Sequence, residues 1–135
     1  MEVVLQSLYV VCNFVVGNER HKQAICNSKV PKLLLHFLTH SNYQIRIAAI
    51  WCVINLVWKE TNDICDVPNL SDCRKARIAS LIEMGFEETL ERLLTDSNVE
   101  VRGRAETALQ LLRDRTLLES AGENEFEQIS RSILL

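Results

Sequence analysis

The chain repeats itself. Residues 30–56, VPKLLLHFLTHSNYQIRIAAIWCVINL, align without a gap on residues 86–112, FEETLERLLTDSNVEVRGRAETALQLL, at an offset of 56. Leu34/Leu90, Leu38/Leu94, Thr39/Thr95, Ser41/Ser97, Asn42/Asn98, Arg46/Arg102, Ala49/Ala105 and Leu56/Leu112 are identical. A second offset, 42, lays residues 3–16 over 45–58, matching Ser7 with Ala49, Tyr9 with Trp51, Asn13 with Asn55 and Phe14 with Leu56. One helix therefore recurs three times. The difference between the offsets marks a 14-residue insertion around TNDICDVPNLSDC, where Pro68 and polar turn formers predict a loop over residues 60–73. A repeated unit of this size cannot cover its own apolar face, so it stacks on its neighbours and the stack supplies the core.

Within each unit the pattern is helical. Val101, Ala105, Ala108, Leu109 and Leu112 step along one face at helical spacing. Ser41-x-x-Gln44 and Ser97-x-x-Glu100 have the form of capping boxes and predict that both copies open their last helix at the same place. Pro31 is suited to the first position of the preceding helix. Ser71 or Asp72 is placed to cap a helix from about Arg74 to Met84, with Gly85 as its stop. The predicted core includes Ala49, Cys52, Val53, Leu56, Leu90, Leu94, Ala105, Leu109 and Leu112.

Composition narrows the function classes. A net charge of −3 gives no global field to draw in nucleic acid or an acidic membrane surface. The charge is uneven, however: residues 1–60 carry six Lys/Arg against three Asp/Glu, and residues 61–135 carry nine against fifteen. The longest apolar run, Val3 to Val16, contains Gln6 and Asn13 and is too short to span a bilayer. Glu2 stands where a signal peptide would be basic. Five cysteines without a CxxC pair suit a reducing, intracellular setting, with all five expected reduced. His21, His36 and His40 make no paired ligand spacing with any cysteine, and Cys65 and Cys73 lack a third ligand, so no metal or other cofactor is expected. No Ser or Cys sits in a nucleophile context and no glycine-rich phosphate loop is present, so catalysis finds no support.

The run LYVVCNFVVGNERHKQAICNSKVPKLLLHFLTHSNYQIRIAAIWCVINLV resembles armadillo repeats, with aromatic-x-x-x-Asn late in a third helix, Gly-Asn after it, His-Lys-Gln-x-Ile next and then an apolar second helix. The period of 42 residues agrees. The predicted fold is all-α, an armadillo/HEAT-type solenoid over residues 1–115 of about two full repeats plus a partial N-terminal one. Residues 1–17 form the last helix of the partial repeat, 18–59 a repeat, 60–73 the loop and 74–115 a second repeat. Residues 116–135 are a capping helix or a flexible tail, since Phe126, Ile129 and Ile133 hold helical spacing after a polar stretch. Because the chain opens inside the last helix of a unit, it reads as part or a short form of a longer array, or as docking another solenoid through its N-terminal face. More narrowly, SNYQIRIAAIWCVINLVW with NLSDCRKARIASLIEMGFEETLERLLTDSNVEVRGRAETALQLL is similar to the C-terminal part of the armadillo-repeat scaffold subunits of CTLH (GID-type) E3 ubiquitin ligase complexes. That resemblance implies a noncatalytic scaffold in nucleus and cytoplasm that helps dock a substrate-receptor subunit.

Third helices line the concave groove of armadillo proteins, which singles out one stripe here. Gln44, Ala48, Trp51 and Asn55 fall on it, with Glu2, Gln6, Tyr9 and Asn13 as equivalents in the first copy and Glu100, Arg104, Thr107 and Leu111 in the last. An Asn amide can pair with both backbone groups of an extended peptide, and Tyr9 and Trp51 would wall its side chains. The expected partner-binding residues are Tyr9, Asn13, Gln44, Trp51 and Asn55, ending near the second unit because Thr107 and Leu111 break the pattern. The alternative is that the two Asn residues bond backbone within the stack while the aromatics merely pack. A second alternative attaches to Met84-Gly85-Phe86, which resembles the ubiquitin-gripping loop of ubiquitin-associated domains. That loop otherwise serves as a helix stop and a core Phe.

Overall fold

A computed structural model describes residues 2–59 and 70–113. It contains α1 (Glu2–Val15), α2 (Glu19–Cys26), α3 (Val30–Phe37), α4 (Tyr43–Val57), α5 (Leu70–Glu83) and α6 (Phe86–Leu93). A seventh helix, α7, covers residues 99–113, and no described residue is in a strand. The order is that of an armadillo solenoid: α1 as the last helix of a partial unit, then α2–α4, then α5–α7. The expectation for residues 116–135 falls outside the described residues.

Helix boundaries follow local chemistry. Asn18 caps α2, its side chain accepting from the His21 N–H at 3.0 Å. Gly85 has φ +100°, a left-handed conformation that other residues adopt at a cost, and it both ends α5 and opens α6. The caps of α4 and α7 differ from expectation. Asn42, not Ser41, accepts from the Gln44 N–H at 2.8 Å, and Asn98, not Ser97, accepts from Glu100 and Val101. Asn42 is extended, which brings its amide oxygen within reach of the N–H two residues on. Pro31 is the second residue of α3, still inside the turn whose N–H groups need no helical partner. Helix α5 begins at Leu70, four residues before the predicted start, so Ser71 and Asp72 lie within it and are not its caps.

Nine residues of α4 are buried, round more than half of the helix, because YQIRIAAIWCVINLV is apolar over most of its circumference, while the side carrying Gln44, Trp51 and Asn55 is less covered. Helices α1, α3 and α5 pack against it. Leu8, Cys12 and Val15 of α1 join Leu34, Leu38, Ile45, Ala49 and Leu56 in a core that continues through Phe86, Leu90, Val101, Ala105 and Leu112. Leu94 departs from its predicted burial: it is 38% exposed, whereas its equivalent Leu38 is fully buried. Leu94 lies in the last described unit, with no described unit stacked beyond it.

Two polar devices fix how the units stack. Arg46 donates through Nη1 to the carbonyls of His40 and Ser41, at 2.8 and 3.0 Å, and through Nη2 to Asp96 Oδ1 in the next unit at 2.9 Å. Its equivalent Arg102 makes the same local contact, to the Asp96 carbonyl at 2.6 Å. The second device gathers at the C-terminus of α4. Arg77 Nε donates to the Leu56 carbonyl at 2.6 Å, Arg74 Nε to Val57 at 2.8 Å and Lys22 Nζ to Trp58 at 3.1 Å. Cations belong there because the last carbonyls of a helix lack intrahelical donors and carry its negative end. Arg77 also pairs with Glu19, and all four charged residues are buried, tying α2 to α5.

Candidate functional site

The third-helix stripe is built by the contact of α1 with α4 and by the return of α7 onto α4. Tyr9, Asn13 and Gln44 are exposed, and Trp51 and Asn55 are half-buried. Ala48, on the same predicted stripe, is buried, because α1 packs directly on it and the Cys12 thiol contacts its carbonyl at 3.6 Å. At the N-terminal end Gln6 donates to Glu2 Oε1 at 3.0 Å.

Asn55 is partly committed to the stack. Its Nδ2 donates to the Cys12 carbonyl at 3.2 Å, across the α1–α4 contact and one residue before Asn13. This is the contact expected of the stack-bonding alternative. One N–H and the side-chain carbonyl remain as the chemical means of pairing with a bound backbone. Asn13 is exposed, so the two Asn residues, equivalent in the repeat, do different work.

Trp51 is not a bare wall. The guanidinium carbon of Arg104, from α7, lies 4.4 Å from the centre of its ring, a cation–π contact. Arg104 also faces Glu100, one turn back, at 4.0 Å. The third unit therefore contributes to the stripe, which the loss of the aromatic-x-x-x-Asn pattern at Thr107 and Leu111 did not suggest. The signal available in the sequence was Arg104 itself, at the position equivalent to Ala48, where a long cationic side chain can reach back one unit.

The Met84-Gly85-Phe86 segment does not form an exposed grip. Phe86 is fully buried in the core and Met84 packs against it, while Gly85 serves the turn between α5 and α6. Glu87 and Glu91 pair with Arg113 of α7.

Sequence reasoning also missed the buried cations at the end of α4. A trace was present: Arg74, Arg77, Ile78 and Leu81 share one face of α5, so two arginines stand in an apolar stripe. Four described cysteines are free thiols, namely Cys12, Cys26, Cys52 and Cys73, and Cys65 lies outside the described residues. Burial pushes the Cys26 thiol up to about 11, opposed by Arg77. Among the described residues no group of three or more His, Cys, Asp or Glu is placed to hold a metal ion, and no helix is long and apolar enough to cross a membrane.

Residues 18–58, spanning α2 to α4, match the armadillo/beta-catenin-like repeat. The chain is 29% identical over 110 residues to Armadillo repeat-containing protein 8 of Danio rerio, an alignment covering 82% of this chain and 15% of that protein. The Mus musculus protein of the same name is 24% identical over 110 residues, again 82% of this chain and 15% of the relative. GID complex subunit 5 of Schizosaccharomyces pombe is 35% identical over 71 residues, 53% of this chain and 8% of that protein. The matched part of the chain thus spans about a seventh of the length of the two Armadillo repeat-containing protein 8 relatives and about a twelfth of GID complex subunit 5. The repeat match covers α2–α4, the three-helix units stack as in an armadillo solenoid, and over 110 residues the chain is similar to armadillo repeat-containing proteins.

Proposed function

We propose that this chain is a noncatalytic protein-interaction scaffold of a GID/CTLH-type ubiquitin ligase complex, and that it holds a partner along Tyr9, Asn13, Gln44, Trp51 and Asn55. The observation that carries the reading is the Trp51–Arg104 pair on the stripe: an aromatic shelf closed on one side by a cation offers an apolar contact and a charged contact to one extended segment. The names of the relatives, one of them a GID complex subunit, support the choice of complex. The occupant is a protein segment, belonging to a ligase subunit or to a substrate receptor docked on it, rather than nucleic acid or membrane. The complex would act in nucleus and cytoplasm.

The test is affinity purification of the full chain from cells that assemble the ligase, followed by identification of the recovered subunits. Recovery of the other ligase subunits above a control armadillo protein supports the reading. Their absence, with the chain expressed and folded, removes the ligase assignment.

A further inference from the structure

We propose that Cys12 and Cys52 are an oxidisable dithiol, and that the disulfide they form staples α1 to α4 beneath the partner-facing stripe. The two Sγ atoms lie 2.8 Å apart across the contact between the partial unit and the next. A disulfide bond is about 2.0 Å long, so bonding asks less than an ångström of further approach. Both sulfurs sit among backbone carbonyls of the facing helix: Cys12 Sγ lies 3.6 Å from the Ala48 carbonyl oxygen and Cys52 Sγ 3.3 Å from the Leu8 carbonyl oxygen. Small residues at this crossing, Cys12 against Ala48 and Cys52, let the two helices come close. Cys26 and Cys73 have no such thiol contact among the described residues.

The pair is chemically asymmetric. Cys12 is 7% exposed and Cys52 fully buried, so a small oxidant meets Cys12 first. The hydrogen bond from Cys52 favours the Cys12 thiolate against the opposing effect of burial, while that bond and burial together hold Cys52 protonated. A thiolate is the nucleophile in this chemistry. With hydrogen peroxide as oxidant, the Cys12 thiolate attacks one peroxide oxygen; the S–O bond forms, the O–O bond breaks, and hydroxide leaves to take up a proton as water. The Cys52 sulfur then attacks Sγ of the Cys12 sulfenic acid. The S–S bond forms, the S–O bond breaks, and the hydroxyl leaves with the Cys52 proton as a second water. Two thiols are oxidised to one disulfide while one peroxide is reduced to two waters.

The cross-link lies next to the Asn55 contact, since the Cys12 carbonyl is the acceptor of Asn55 Nδ2. Oxidation therefore fixes α1 against α4 at the floor of the stripe. Closing a chain loop between the two cysteines also restricts the unfolded chain.

The full chain is treated with hydrogen peroxide, its remaining thiols are alkylated, and the peptides are mapped by mass without reduction. A Cys12–Cys52 linked peptide, about 2 Da lighter than the two thiol peptides together, is expected, with Cys26 alkylated. The thermal midpoint should rise and fall back on adding dithiothreitol. Cys12→Ser should abolish the linked peptide; if that variant does not fold, the map of the unsubstituted chain decides alone. Cys12 recovered as a free thiol, overoxidised without a linked peptide, or joined only to another chain would overturn the proposal.

Discussion

Arg104 reaches back from the third unit to lie 4.4 Å over the ring of Trp51 in the second. The contact joins two units on the face where a partner is proposed to bind. Because Arg104 remains partly exposed, the contact is worth about 0.5–1 kcal/mol. A double-mutant cycle of Trp51→Ala and Arg104→Ala, followed by urea unfolding, should return a coupling of about that size. Strictly additive effects would show that the two side chains are neighbours without being partners.

Arg77 joins α5 to both α4 and α2 from a buried position. It is buried, donates to the Leu56 carbonyl and pairs with buried Glu19. Arg77→Met should cost about 3–5 kcal/mol, because it strands the Glu19 carboxylate in the interior. Adding Glu19→Leu removes the stranded charge, so the double variant should be more stable than Arg77→Met alone. A double variant less stable than Arg77→Met would mean that Glu19 contributes mainly through other contacts. Urea midpoints at neutral pH measure both.

Leu90 and Leu94 separate core from edge within one helix end. Leu90 is fully buried and Leu94 is 38% exposed. Leu90→Ala should cost about 2–5 kcal/mol, and Leu94→Ala about 1 kcal/mol or less. Equal losses in the thermal midpoints of the two variants would contradict this division.

The pair also shows what the sequence discloses and what it withholds. Self-similarity located the helices of both full units and most of the core, since Ala49/Ala105 and Leu56/Leu112 occupy equivalent buried places. It misjudged Leu94 because a repeat transfers an address without its neighbours: Leu38 has a unit stacked after it among the described residues and Leu94 does not. The start of α5 was placed late because its first turn is mostly polar and lies beside turn formers. Buried Arg74 and Arg77 left only their place in an apolar stripe as a trace, and Lys22 less than that, since a cation becomes an interior residue only when tertiary structure delivers carbonyls or a carboxylate to it.

The stripe was legible in part for the same reason. The recurrence of Tyr9/Asn13 and Trp51/Asn55 identified a set of equivalent positions. Whether an Asn there faces a neighbouring helix or solvent depends on the packing of α1 on α4, and the structure commits Asn55 Nδ2 to the Cys12 carbonyl while Asn13 is exposed. Arg104 and Trp51 meet across two units, beyond the reach of any local pattern.

Partner affinity of the Asn13→Ala/Trp51→Ala double variant tests the account most directly. Neither side chain is fully buried, so circular dichroism should report an intact helical fold. The probe is the ligase subunit that co-purifies with the unsubstituted chain, titrated against both proteins. The account predicts a loss of about 2 kcal/mol or more, roughly thirtyfold in Kd, as expected for a shelf at the centre of an interface. Unchanged affinity with an intact fold would contradict it and move the interaction off the third-helix stripe.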